Sequence, residues 1–542
     1  MDSLSYLLLF ALGVAVLFWR RHATRFSISY IPGPTGASWL VGNMKEFAYQ
    51  LNVGDMDFAY ARQFGRTWRM RHPLGTDMLM TADPKAIHHV LQKAEHIYVK
   101  RLESTETARM TMGKGLVWAS GETHARQRKI MNPAFTVGQI RSFVPIFRTG
   151  AAKLTQKWRD EISAKAASAE GVALTVNRWF SRVTIDILGE TAFDYNFGAL
   201  DNTENEVTAA FHTMFSDSTL HPPAWDLIFK RLWSYIPQPI LEFMDYIPTR
   251  EYNRFRRTLR VVNGVSKQLV EEKKAALLTE SRSSRDIFSV LVQANVSQDP
   301  KGRLTDEELV AQMATLVLAG HITTATTLTF LFHELSCHQE YQHKMREEIV
   351  QARARLRERG AEDFSMEELE GMPLVSAAVK ETLRYHPPVY HIFRNAIADD
   401  VLPLETPIKS ASGEYTSEIP IGAGQHVVLS VCTYQRLPEI WGEDADQWNP
   451  LRFVEGNIEK ESKMGLYANL MAFAEGNRGC IGWRFTILET MAIVVDLVEN
   501  FKFDVGDEKD EIIRRPTGFM SAWVRGRERE GPQLVLKVTP VA

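Results

Sequence analysis

Ten residues near the C-terminal end, Phe473-Ala474-Glu475-Gly476-Asn477-Arg478-Gly479-Cys480-Ile481-Gly482, run directly into the apolar segment Trp483 to Val498. No other stretch constrains the chain as much. Three glycines around one cysteine tolerate positive φ and carry no Cβ, so backbone and sulfur can approach a flat ligand closely. A helix opening near Gly482 would aim N–H groups and its positive dipole end at the sulfur, which predicts a thiol pKa below about 8.5 and a cysteine poised as an anion. Arg478 is placed to neutralise a carboxylate on the same ligand, and Phe473 to shield the sulfur from water. Taken alone, these residues fit a ligand cradle, a glycine-rich turn with a structural cysteine, or a nest that binds phosphate.

The complete pattern Phe-x-x-Gly-x-Arg-x-Cys-x-Gly would arise by accident in a chain of this length on the order of one time in ten thousand. It closely resembles the haem-binding signature of the cytochrome P-450 superfamily, with every fixed position present. The resemblance implies that Cys480 is the axial ligand of a haem b iron, with Phe473, Gly476, Arg478 and Gly482 forming the cradle. It also implies a mainly α fold with small β-sheets, preceded by an N-terminal membrane anchor helix.

Further segments resemble the same superfamily in the same order. Glu381 and Arg384, at i and i+3 in Lys380-Glu381-Thr382-Leu383-Arg384, precede a Pro387-Pro388 stop and taken alone read as a solvated salt bridge. Asp446 to Phe453 resembles the Pro-x-Arg-Phe segment, whose arginine, here Arg452, would join them in a buried structural triad. Ala319-Gly320-His321-Ile322-Thr323-Thr324 lies within the apolar run Leu309 to Phe332. Threonine hydroxyls there can compete for backbone carbonyls and open a groove, although threonines packed between helices are an equal reading. The resemblance makes this the oxygen-binding helix, with Gly320 and Thr323 catalytic and Thr323 helping to deliver protons. The acidic residue that usually precedes that threonine is replaced by Ile322, so protons would come from water, substrate or His321. Haem propionates need cations, and the resemblance supplies His124 and Arg128, at i and i+4, and Arg394.

The N-terminus carries an apolar run, Leu4 to Trp19, followed by Arg20, Arg21 and His22. Sixteen helical residues span about 24 Å, slightly short of the roughly 27 Å of an endoplasmic-reticulum bilayer, so Trp19 and the arginines would snorkel. Arginines on the downstream side keep that side cytosolic. The expected organisation is an anchor over residues 1–22, a linker and Pro32-Gly33-Pro34 hinge over 23–36, and a haem-thiolate catalytic domain over 37–542. The expected location is the endoplasmic reticulum membrane, single-pass, facing the cytosol. Residues 237–248 form an unusually apolar connection, read equally as a second bilayer contact or as core packing.

A formal net charge of −3 lacks the basic excess of a nucleic-acid binder. Three cysteines, Cys337, Cys432 and Cys480, are too few and too far apart for a disulfide framework or a four-thiolate zinc site. Periodicity predicts helices over 139–162, 172–191, 249–280 and 305–337, a hairpin over 67–81, a helix opening at Asp83-Pro84, and only short strands near the C-terminus such as 533–538.

The resemblance is to the fungal microsomal type. Its implied activity is monooxygenation of a lipophilic small molecule, such as a terpenoid or other secondary metabolite, using dioxygen and NADPH electrons delivered by a partner reductase. Family analogy places the pocket at Thr105 to Trp118, 211–245, Leu316 to Thr323, Val389 to Phe393 and Gly518 to Ala522. Two rival readings remain: a haem-thiolate isomerase, dehydratase or peroxygenase on the same scaffold, and a non-catalytic membrane protein with spans at Leu4 and Leu309.

Overall fold

A computed structural model describes residues 13, 26–165, 171–201, 222–246, 249–278, 286–299, 302–456, 464–507 and 509–541. The anchor expected at 1–22 falls outside them, apart from Gly13.

The fold is organised around the helix Asp306–Cys337. Its start is set by a capping box: the Glu308 N–H donates to Thr305 Oγ1 and the Thr305 N–H to Glu308 Oε2. Three acidic residues in the first turn also suit the dipole. The helix is long and apolar enough to cross a membrane, but its apolar window lies largely inside the protein. Helices Val176–Leu188, Arg250–Leu278, Pro373–Tyr385 and Trp483–Asn500 pack around it. The reading of Leu309 onward as a membrane span is therefore overturned: its apolar faces are covered by neighbouring helices.

The helix that follows the cysteine loop, Trp483–Asn500, begins one residue after Gly482. It lies along Val137–Lys165, where the Phe147 and Phe485 rings meet edge to face at 4.8 Å. Arg148 crosses between the two helices to Asp496, at 3.1 Å.

Strands are more extensive than periodicity suggests. The hairpin Thr67–Arg71 and Asp77–Thr81 forms as expected, and its second strand pairs in parallel with His426–Ser430. His391–Ala396 and Tyr98–Val99 complete a five-stranded sheet. His426–Ser430 is buried on both faces, so it lacks the alternation by which a strand is recognised. Val172–Thr175, expected to open a helix, is instead a strand paired with Val535–Pro540; the helix starts at Val176. The Pro32-Gly33-Pro34 segment is not a free hinge. It docks on the hairpin, where the Arg69 N–H donates to Pro32 O and a Cβ on Gly33 would lie 2.0 Å from the Arg69 carbonyl oxygen.

Candidate active site

In the cysteine loop, the Cys480 N–H donates to Phe473 O at 2.9 Å and the Gly479 N–H to Gly476 O at 3.0 Å, which folds the chain back on itself. Gly476 has φ +70°, and a Cβ there would lie 2.3 Å from the Leu91 carbonyl oxygen. It is needed for a left-handed turn packed against neighbouring backbone, rather than for approach to a ligand. A Cβ on Gly482 would make only ordinary contact with Phe135. Phe473 is buried beside Tyr467.

Cys480 is surrounded by protein yet keeps some accessible surface. The Gly482 N–H bonds to its sulfur and Arg128 lies close, both favouring thiolate, but burial outweighs them and pushes the thiol up. The expectation that the helix end lowers the thiol pKa and poises the cysteine as an anion is thus corrected. Desolvation costs the charge more than one N–H and one guanidinium return.

Around this loop the structure gathers His124, Arg128, Arg394 and Arg478 together with Lys100, a cation with no motif to mark it in the sequence. Arg128 Nη1 donates to Gly479 O at 2.6 Å, and Arg478 Nη1 to Ala119 O at 2.7 Å. Lys100 Nζ donates to the Trp118 and Ala119 carbonyls, and Arg394 Nη1 to Phe393 O. These partners are mostly neutral carbonyls; among the described residues the carboxylate beside them is Glu95, 3.8 Å from Arg478. Burial, then Arg478 and Arg394, bring Lys100 down to about 7. Burial, then Arg478, Arg128 and Lys100, bring His124 down to about 3, leaving a neutral ring with an N–H to donate. Burial, then Arg478, bring Arg394 to about 10. An interior cluster whose members depress one another calls for an anionic ligand, and a dicarboxylate porphyrin beside a thiol fits that donor set.

The middle of the Asp306–Cys337 helix also opens: Ala319 is exposed, and Gly320, Ile322 and Thr323 are half-buried within an otherwise buried element. Thr323 Oγ1 donates to Ala319 O at 2.8 Å and Thr324 Oγ1 to Gly320 O at 3.1 Å, the competition for carbonyls expected from the sequence. The helix nevertheless continues unbroken. Gly320 is close to the Leu188 side chain, 3.0 Å from where its Cβ would be. His321 is buried with its ring hydrogen-bonded to Val317 O, and burial holds it down at about 4. The ring is thus neutral, with one of its nitrogens bonded back to its own helix.

Glu381, Arg384 and Arg452 come together as expected. Arg384 forms a fork to both Glu381 oxygens at 2.7 Å, and Arg452 Nε reaches the same carboxylate at 3.2 Å. All three are buried. Cys432 sits elsewhere, beside Asp57 and His391, as a buried group whose donor atoms lie within metal-binding reach of one another. Asp57 Oδ1 and His391 Nε2 are already hydrogen-bonded to each other at 2.7 Å. Asp57 lifts His391 to about 10 against burial, and His391 in turn lowers Asp57, which describes a charged clamp joining helix Asp55–Phe64 to the sheet.

A mainly helical fold with a glycine-bound thiol, an under-neutralised interior cation cluster and a hydroxyl-lined opening in its central helix defines a class of protein made to enclose an anionic, metal-bearing macrocycle. The sequence profile of the family described as Cytochrome P450 matches residues 31–525. The chain is 32% identical to cytochrome P450 monooxygenase 205 of Postia placenta, over 98% of each chain. It is 29% identical to ganoderic acid synthetase CYP5150L8 of Ganoderma lucidum, over the full length of both. A third relative, cytochrome P450 monooxygenase claQ of Ampulloclitocybe clavipes, is 29% identical over 87% of this chain and 85% of its own. The chain belongs to the cytochrome P450 family. It is a haem b monooxygenase of that family, whose members take electrons from NADPH through a reductase.

Proposed function

We propose that this monooxygenase binds its haem iron through Cys480 and oxidises a lipophilic small molecule of the terpenoid or secondary-metabolite kind at the endoplasmic reticulum surface. The observation that carries the assignment is the interior cation cluster beside the Cys480 loop, which has too few carboxylates of its own. Arg128, Arg478, Arg394 and Lys100 would hold the propionates, with neutral His124 as a further donor. When bound, haem supplies the iron centre at which dioxygen is activated. The Gly482 N–H tunes the sulfur, and Phe473 and its neighbours keep water from it. Thr323, whose proton is directed to Ala319 O, has lone pairs left to accept from a donor in the opening, while Ile322 beside it relays nothing.

The relative named for ganoderic acid synthesis supports a lipophilic substrate. A bilayer location is supported by exposed apolar residues: Ile240 at 56%, Phe243 at 68% and Tyr246 at 78%, together with Trp39, Leu40 and Trp225. Helix Ala224–Leu232 rests on the Pro73–Gly75 turn, to which Trp39 and Leu40 are hydrogen-bonded, so Trp225, Trp39 and Leu40 lie near one another. The anchor at 1–22 and a reductase partner complete the reading.

Co-expression with an NADPH-dependent reductase in a host fed lipophilic metabolites is expected to give products heavier by one oxygen atom. Thr323→Ala is expected to keep consuming NADPH while product falls roughly 10²-fold. Turnover without NADPH would instead favour an isomerase or peroxygenase. Removing a cation tests the haem cradle separately. Arg478→Ala relieves repulsion in the empty protein but removes charged hydrogen bonds worth about 1.5–3 kcal/mol from the loaded one. Haem release should therefore quicken roughly tenfold or more while the thermal midpoint of haem-free protein does not fall. Unaltered haem retention would remove Arg478 from the cradle.

A further inference from the structure

Cys432 lies outside the site described above, and a distinct set of donors gathers around it. Asp57, His391 and Cys432 each present one donor atom, and the three atoms lie within 4.8 Å of one another. Asp57 Oδ1 is 2.7 Å from His391 Nε2, and Cys432 Sγ is 4.0 Å from the same nitrogen. Ser430 Oγ donates to Asp57 Oδ1 at 2.7 Å and lies 3.5 Å from Cys432 Sγ. All four residues are buried. They come from separate parts of the fold: Asp57 from helix Asp55–Phe64, His391 from the strand that also carries Arg394, Ser430 from the end of strand His426–Ser430, and Cys432 from the helical turn Val431–Tyr434.

Hydrogen bonding alone leaves this group incomplete. Asp57 Oδ2 and His391 Nδ1 are fully buried, and neither has a hydrogen-bond partner among the described residues. A stranded polar atom is costly, more so on a charged group, and in a native fold it points to an ion or water that the protein holds. Phe47 stacks on the imidazole at 4.9 Å, and Val53, Phe330 and Met520 pack with Cys432, so bulk water is kept away. One carboxylate, one imidazolium and one thiol carry no net charge together. A divalent cation that displaces the imidazolium and thiol protons leaves that balance unchanged, and it relieves the Nδ1 N–H of its charge. A thiolate, an imidazole and a carboxylate suit zinc rather than magnesium or calcium, which take oxygen donors. Tetrahedral zinc, with bonds of about 2.0–2.3 Å, sets its donors roughly 3.3–3.8 Å apart. The Ser430–Cys432 and Cys432–His391 separations, 3.5 and 4.0 Å, are close to that span. Asp57 and His391 would part by about half an ångström to reach it.

We propose that Asp57, His391 and Cys432 bind one zinc ion, with Ser430 Oγ at the fourth corner, in a structural site that fastens helix Asp55–Phe64 to the sheet. Four protein donors in an apolar surround leave no open position for a substrate, so the ion serves stability rather than turnover. Binding releases two protons to solvent, one from His391 and one from Cys432, and moves no electrons. The hydrogen-bonded pair of Asp57 and His391 is the zinc-free form of the same junction. Arg394 lies three residues further along the His391 strand, so the latch also steadies the backbone that carries this cation.

The test uses full-length, haem-loaded protein without a histidine tag, equilibrated with zinc chloride and then desalted. Elemental analysis is expected to find about one zinc per chain, and X-ray absorption at the zinc edge one sulfur at about 2.3 Å with lighter donors at about 2.0 Å. Cys432→Ser should retain at least roughly tenfold less zinc and lose the sulfur neighbour. Cys337→Ser, which removes the exposed thiol, should change neither. Zinc should raise the thermal midpoint of the unsubstituted protein and leave that of Cys432→Ser where it was. Asp57→Asn keeps the shape of the side chain while removing a ligand charge; it should show the same losses, and the comparison stands even if Cys432→Ser fails to fold. Zinc content equal in the unsubstituted protein and in Cys432→Ser, a bound zinc with no sulfur neighbour, or no zinc retained at all overturns the proposal.

Discussion

Cys480→Ser should abolish the red-shifted carbonyl band of thiolate-ligated ferrous haem, and oxygen insertion with it, while Cys432→Ser leaves both in place. The substitution exchanges a single atom. The Cys480 N–H to Phe473 O bond and the surrounding turn do not depend on the sulfur, so the loop keeps its shape. What is lost is a soft, anionic donor. A serine hydroxyl does not ionise near neutral pH, and the loop offers it the same burial that already pushes the thiol upward. Since the protein alone does not produce the thiolate, bonding to the metal must displace the thiol proton. Haem affinity should consequently rise with pH as that proton becomes easier to release. Cys432 is the control because it is buried against His391 and Asp57, away from the glycine loop. A Cys480→Ser protein with an unaltered carbonyl spectrum, or loss of the band in Cys432→Ser, would reassign the ligand.

Glu381→Ala is expected to remove about 3–5 kcal/mol of stability, because it leaves the buried Arg384 guanidinium without a carboxylate and takes one of two from Arg452, which keeps Asp444 at 2.9 Å. A folded domain has only about 5–15 kcal/mol in total, so the variant should unfold at much lower urea concentration and accumulate little haem. Arg384 shows why charge alone is not the point. Its five N–H donors are all used, two on Glu381 and three on the carbonyls of Gln435, Ala445 and Gln447. Arg384→Lys keeps the charge but has three donors without the planar fork, and should lose a large part of the same stability. Equilibrium unfolding in urea measures both; a loss below about 1 kcal/mol for Glu381→Ala would mean that the triad is not the clamp that its geometry describes.

The parts of the site that were legible in the sequence share one property: their chemistry is carried by residues close together in the chain. The Cys480 loop, the Thr323–Thr324 pair and the i, i+3 spacing of Glu381 and Arg384 can be read within ten residues. Lys100 could not be read this way, since no local pattern sets a lysine before Arg101 apart from a surface charge. Only the pairing of Tyr98–Val99 with His391–Ala396, and the approach of the Cys480 loop, place it among the other cations. His321, two residues before Thr323, turns one ring nitrogen back to Val317 O of its own helix, an orientation that depends on the folded helix rather than on sequence adjacency.

By itself, the sequence determined the family, the cysteine loop, the central helix and its cap, because these depend on short-range geometry: glycine conformational freedom, helical periodicity and side-chain-to-backbone capping. Tertiary structure alone decided that the Leu309 run is core rather than membrane span, that Val172–Thr175 is a strand, that the Pro-Gly-Pro segment is docked, and which charges lack a partner. Those outcomes depend on what packs against a segment from distant parts of the chain, and burial, pairing and desolvation are properties of that environment rather than of the residue itself.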